Sequence, residues 1–183
     1  MTQHMDNDTA APLSRKLRTA DIEENVPLKI EATRAEMADI IRLLDLVSLD
    51  GLTLDYRLRR EAAGRMHLSG RLVAAVTQTC VVSLEPVEQA IDLPVEIEFW
   101  PQAFIAELEN KAEDPGHAGL LDWPEAIVDG MIDLGPVVYE SLATALDPYP
   151  KREGAKLQWA PEAEEAGRSE SGPFAALKQL KGQ

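Results

Sequence analysis

Two-residue alternation of apolar and polar positions dominates the first two thirds of the chain, interrupted by one clear helical repeat. Val26, Leu28, Ile30 and Ala32 alternate with Pro27, Lys29 and Glu31. Period two predicts a half-buried strand, and Pro27, which cannot donate to a ladder, places it at an edge or a strand start. Thr33-Arg34-Ala35-Glu36 follows with the spacing of a capping box: the threonine hydroxyl accepts from the third amide while the glutamate reaches back. Met37, Ile40, Ile41 and Leu44 then recur at helical spacing, so residues 34–46 are predicted to form an amphipathic helix.

The next segment carries the strongest pattern. Leu52, Leu54, Tyr56 and Leu58 alternate with Thr53, Asp55, Arg57 and Arg59; Met66, Leu68, Gly70, Leu72 and Ala74 alternate with His67, Ser69, Arg71 and Val73. Between them, Ala62-Ala63-Gly64 has the form of a type I turn closed by a left-handed glycine. Pairing Glu61 with Arg65 sets Leu58 opposite Leu68, Tyr56 opposite Gly70 and Leu54 opposite Leu72. A slip of one residue would mix the two faces, so the pattern selects this register. The wet face then carries Asp55 opposite Arg71, Arg57 opposite Ser69 and Arg59 opposite His67.

The strand continues to Thr79-Cys80 and turns at Leu84-Glu85-Pro86. Ile91 to Phe99 alternate again, with acids outside and Pro94 favouring an edge. Residues 101–124 hold prolines, glycines and many acids and read as a long acidic loop with one helical turn at Phe104–Leu108. Glu125–Leu134 has strand character, and Pro136 sits where a first helical turn tolerates it. Val138, Leu142 and Ala145 predict a short helix that ends before Asp147-Pro148. The expected fold class is α+β: a mostly antiparallel sheet of about five strands, two covering helices, and flexible N- and C-terminal tails. Residues 1–20 read as an N-terminal arm, 21–150 as the domain, and 151–183 as a tail ending in the amphipathic segment Phe174–Leu180.

Composition sharpens the picture. The 183 residues fit one domain, and with only 5% aromatics the core must be aliphatic. Eighteen Lys and Arg stand against 32 Asp and Glu, a net charge of −14, which argues against a sequence-blind nucleic-acid binder. The charge is unevenly spread: from Leu84 to Asp133 thirteen acids face one base, Lys111. Arg57, Arg59, Arg60, Arg65 and Arg71 instead cluster on the hairpin, so the domain reads as dipolar, with Arg57, Arg59 and Arg71 as candidate RNA contacts. One cysteine, Cys80, leaves neither a disulfide framework nor a cysteine-based zinc site, and no metal or cofactor is expected. Phosphate-loop, dinucleotide, zincin and nucleophile-elbow motifs are all missing. No apolar run is long enough to span a membrane and no secretory h-region opens the chain, so a cytoplasmic protein is expected.

Several segments together resemble the YceD-like family of bacterial and plastid large ribosomal RNA subunit accumulation proteins. They are Leu68-Ser69-Gly70-Arg71-Leu72, the stretch Gln78 to Val87 with Cys80, Leu84, Glu85 and Pro86, Ile132-Asp133-Leu134-Gly135, Glu140-Ser141-Leu142, Leu146 to Pro150, and the ending Pro173 to Leu177. The resemblance spans roughly residues 65–180. It implies a non-enzymatic role in accumulating large-subunit ribosomal RNA, with that RNA or a basic ribosomal protein as partner and no small-molecule substrate. Many members carry a second cysteine three places after the first, a metal-binding variant; this chain has Ser83 there. Two rival readings stand beside it. One is a small hydrolase or nuclease using Cys80 or His67; the other is an adaptor docking through Phe174–Leu180.

Overall fold

The computed structural model describes residues 11–106 and 123–156. Strand β1 (Lys16–Arg18) is followed by β2 (Leu28–Glu31), helix α1 (Arg34–Leu43), β3 (Ser48–Arg60), β4 (Met66–Thr79), β5 (Pro86–Pro101), β6 (Glu125–Ile127), β7 (Met131–Asp133) and helix α2 (Leu134–Ala145). A third helical stretch covers residues 102–106, and the rest of the acidic loop to 122 lies outside the described residues. Strands β2-β3-β4-β5-β6 form one five-stranded sheet in sequence order; β1 and β7 pair separately. Every ladder is antiparallel except β5–β6.

The α+β class, the five strands and the two main helices agree with the pattern. Leu58 faces Leu68, Tyr56 faces Gly70 and Leu54 faces Leu72, with Asp55, Arg57 and Arg59 opposite Arg71, Ser69 and His67. Thr33 and Glu36 form the capping box. Strand β2 lies at the sheet's edge, as Pro27 required, and β5 is paired on its outer side only from Phe99 onward. Strand β3 begins earlier than the alternation suggested. A register shift between Leu49 and Gly51 lets Leu49 and Leu52, three residues apart, both point inward. A bulge of this kind adds a residue to one strand and so breaks strict alternation.

Inward residues of β3, β4 and β5 share one core with Ile40 of α1 and Leu134, Val137, Val138 and Leu142 of α2. Both helices therefore cover the same face of the sheet. Asp55, Arg57, Arg59, Arg71, Asp92, Pro94, Glu96 and Glu98 are exposed on the other.

Four expectations change. The arm over residues 1–20 is not loose from Leu13 on: Leu13 is 1% exposed, and β1 pairs with β7 across more than 110 residues. A three-residue strand with one apolar side chain carries no period to detect. Glu125–Leu134 is not one strand but two short ones. They are joined at Asp129-Gly130, whose φ values of 51° and 70° make a type I′ turn with reciprocal Val128–Met131 amide bonds. The hairpin turn after Glu61 differs as well: Ala63 (φ 60°) is left-handed in addition to Gly64 (φ 74°). The tail, finally, is fixed at its start, because the Val81 amide donates to the Pro150 carbonyl and Arg152 forms a 2.6 Å ion pair with Glu85. Residues 157–183, including Phe174–Leu180, lie outside the described residues.

Candidate functional site

The sheet face opposite the two helices is built by side-chain alternation on β3, β4 and β5, so its residues were readable once the register was known. Arg57 and Arg71 both line a shallow open depression of about 400 Å³, together with Pro27, Asp55, Ser69 and Glu96. Arg59 lies one row further toward the hairpin turn, opposite His67. All three predicted arginines are exposed.

Their partners differ from those the register alone suggested. Arg71 does not pair with Asp55, which it faces across the ladder. It grips Asp92 of β5 with two bonds, the Nη2–Oδ2 contact being 2.7 Å. This holds the Asp92 carboxyl below its usual range and the Arg71 guanidinium above its own, in each case chiefly through that hydrogen bond. Arg59 meets Glu61 at 2.7 Å. Arg57 donates to the Asn25 carbonyl at 2.8 Å and has no carboxylate partner among the described residues. The separation into a basic hairpin and an acidic flank is therefore incomplete: β5 lays Asp92, Glu96 and Glu98 beside the arginines of the same face.

His67 has what its sequence context did not reveal, a carboxylate partner: its Nε2 is 2.7 Å from Glu96 Oε2. Cys80 is thirteen residues along the same strand direction, about 40 Å away at the usual rise per residue. The two candidate catalytic groups are not brought together.

Cys80 is fully buried, yet it stands outside the main core cluster. Its sulfur accepts the backbone amides of Val82, Ser83 and Arg152, each at 3.4 Å. A plain buried hydrophobe would not do this; here the sulfur ties the turn after β4 to the segment after α2. These amides pull the thiol down to about 6, that of Arg152 contributing most, against an opposing effect of burial. The Cys80 carbonyl accepts from Leu84 and its amide donates to Glu85. Leu84 is left-handed (φ 60°) and 77% exposed at the loop tip. Glu85 holds Arg152, and Pro86 opens β5.

Asp133 is a structural hinge-pin. It is the N-cap of α2, accepting from Gly135 at 2.9 Å, and it also accepts from the Arg15 amide and the Ser14 hydroxyl, both at 2.7 Å. Burial raises its carboxyl, but these donors together with Lys16 outweigh it and leave the group lowered. Among the described residues no cluster of three or more His, Cys, Asp or Glu side chains could hold a metal ion.

A family model described as "Large ribosomal RNA subunit accumulation protein YceD" matches residues 68–181. The chain belongs to the YceD family. No curated protein and no solved structure matches it. The matched span starts inside β4, so Arg71, Cys80, Leu84, Glu85, Pro86 and Asp133 lie within it, whereas Arg57 and Arg59 lie before it. Membership connects the chain to accumulation of large-subunit ribosomal RNA, and so to ribosome biogenesis. No helix among the described residues is long and apolar enough to cross a membrane.

Proposed function

We propose that this YceD protein promotes accumulation of large-subunit ribosomal RNA by binding the RNA, without catalysing a reaction, in the cytoplasm where ribosomes are assembled. The observation that carries the reading is the face of the five-stranded sheet that is open among the described residues: both helices lie on the opposite side, and Arg57, Arg59 and Arg71 are exposed there. A wide, flat face with guanidinium groups suits RNA, whose phosphates and splayed bases are read by arginine contact and stacking. With a net charge of −14, contact must be local rather than spread over the surface. Arg57 is the strongest of the three, since Arg59 and Arg71 must first loosen Glu61 and Asp92.

A second reading keeps the process and changes the partner. The acids Glu88, Asp92, Glu96 and Glu98 on β5 would receive a basic ribosomal protein. Charge reversal separates the two. Arg57→Glu with Arg59→Glu should abolish co-sedimentation with precursors of the large subunit if RNA is the partner. Glu88→Lys with Glu96→Lys should do so if a basic protein is. If both double variants sediment like the parent, neither face is the contact. Full rescue of a deletion strain by Cys80→Ala and by His67→Ala is the result expected of a protein that performs no hydrolysis.

A further inference from the structure

The arginines of the β3–β4 hairpin divide sharply by what neutralises them. Arg71 is held by Asp92, Arg59 by Glu61, and Arg60 lies 3.5 Å from Glu24 while donating to the carbonyls of Thr19, Ala20 and Ile22. Arg57 and Arg65 have no carboxylate within ion-pair distance among the described residues. Arg65 spends only its Nε, on the Ala62 carbonyl at 3.2 Å. Its guanidinium carbon sits 5.1 Å from the centroid of the Trp100 ring. Trp100 is itself oriented, because its indole N–H donates to Glu98 at 2.7 Å. Both side chains are half-buried, so each keeps a solvent-facing portion.

This sets a cation over an aromatic ring, with both partners fixed by a further hydrogen bond and, among the described residues, the two Nη groups of the arginine uncommitted. A nucleobase matches it: a flat π-system to stack and ring acceptors for the Nη donors. Duplex RNA does not, because its bases are stacked internally and its binding relies on many phosphate contacts. Arg57 lies on the same sheet face, two rows along the ladder, about 13 Å away by strand rise, the reach of a few nucleotides.

We propose that the Arg65–Trp100 stack is a base-stacking platform for single-stranded RNA, with Arg57 as its phosphate contact. The proposal rests on the RNA reading above and names the residues at which that reading is concentrated. With Arg65 engaged by the base and Arg57 left as the phosphate contact of this site, binding is stacking-led. The logarithm of affinity should fall with the logarithm of salt at a slope of about −0.7, far shallower than for a polycationic binder.

The test uses the full chain carrying Trp123→Phe and Trp159→Phe, so that Trp100 is the sole indole, titrated with a short single-stranded oligoribonucleotide. Binding should quench Trp100 fluorescence. Arg65→Ala should weaken binding about 5- to 150-fold, the usual worth of one stacked base. Arg65→Lys, which keeps the charge and loses the plane, should weaken it nearly as much. Arg42→Ala on α1, on the opposite side of the sheet, should bind like the parent. Oligonucleotide binding with unquenched Trp100, or Arg65→Lys binding like the parent, overturns the platform and leaves the RNA reading intact. Absence of any oligonucleotide binding, together with partners that survive ribonuclease treatment, overturns the RNA reading itself. Circular dichroism of each variant, with Trp100→Phe as a gentler change of the ring, separates lost binding from lost fold.

Discussion

At the scale of single residues, the informative positions are those where local preference is overruled. Ala63 is left-handed beside Gly64 in the hairpin turn, a conformation that burdens any residue with a Cβ. Ala63→Gly should therefore stabilise the protein by about 0.5–1 kcal/mol, read from the midpoint of urea unfolding. Cys80 is the opposite case, a small residue whose sulfur gathers three amides. Its thiol is lowered from the ordinary 9.0 to about 6 in the fold. A group lowered on folding adds stability that is complete above its unfolded value and is lost as pH falls through its folded one. Stability of the parent relative to Cys80→Ala should thus rise between pH 6 and 9, followed by thermal unfolding across that range. The thiolate absorbance should titrate near the lower end. Sequence could single out Cys80 as unaccompanied but not as an acceptor, because the Arg152 amide that matters most lies 72 residues away.

At the scale of elements, the β3–β4 hairpin is local and was legible; the long-range pairing of β1 with β7 was not. Two alternating runs with a short turn fix their own register, so the β3–β4 ladder could be written down residue by residue. The β6–β7 hairpin carried an equally local cue, Asp129-Gly130, that the strand-like composition around it concealed. Strand β1 carried none. It is held by what it meets: β7 along its backbone, and α1 through Arg15, which grips Glu36 with bonds of 2.6 and 2.9 Å. Glycine at position 135 is what permits the approach, since a Cβ there would lie 2.0 Å from the Leu13 carbonyl oxygen. The Arg15 contact, aided by Thr33 and opposed by burial, takes the Glu36 carboxyl from 4.5 down to about 2. Arg15→Ala should cost about 1–3 kcal/mol at neutral pH. The sign follows from the lowered carboxyl: the difference from the parent should persist above pH 4.5 and shrink as the solution is acidified toward 2, measured by chemical unfolding at several pH values.

At the scale of the whole molecule, the family-matched span is not a self-sufficient body. It begins at Leu68, within β4, yet Leu52, Leu54, Tyr56, Leu58 and Ile40 of the shared core all precede it. A fragment of residues 65–183 would leave β4 as an exposed apolar edge, which is prone to association. Such a fragment should lack the cooperative thermal transition of the full chain and run as aggregates in size-exclusion chromatography. The same scale decides the electrostatics. Along the chain, basic and acidic segments are separate, but the sheet places β5 against β4, so acids far from the arginines in sequence become their neighbours.

The sequence by itself determined the α+β class, the hairpin register, the capped helix and the family, because each is written in short-range periodicity or in an ordered set of motifs. Only the tertiary structure decided that the arm from Leu13 is packed, that Cys80 is a hydrogen-bonding hub, and that, among the described residues, Arg57 and Arg65 rather than Arg59 and Arg71 are left without carboxylates. Those outcomes depend on pairings between distant segments, and residue spacing along one chain holds no record of which distant group will arrive beside it.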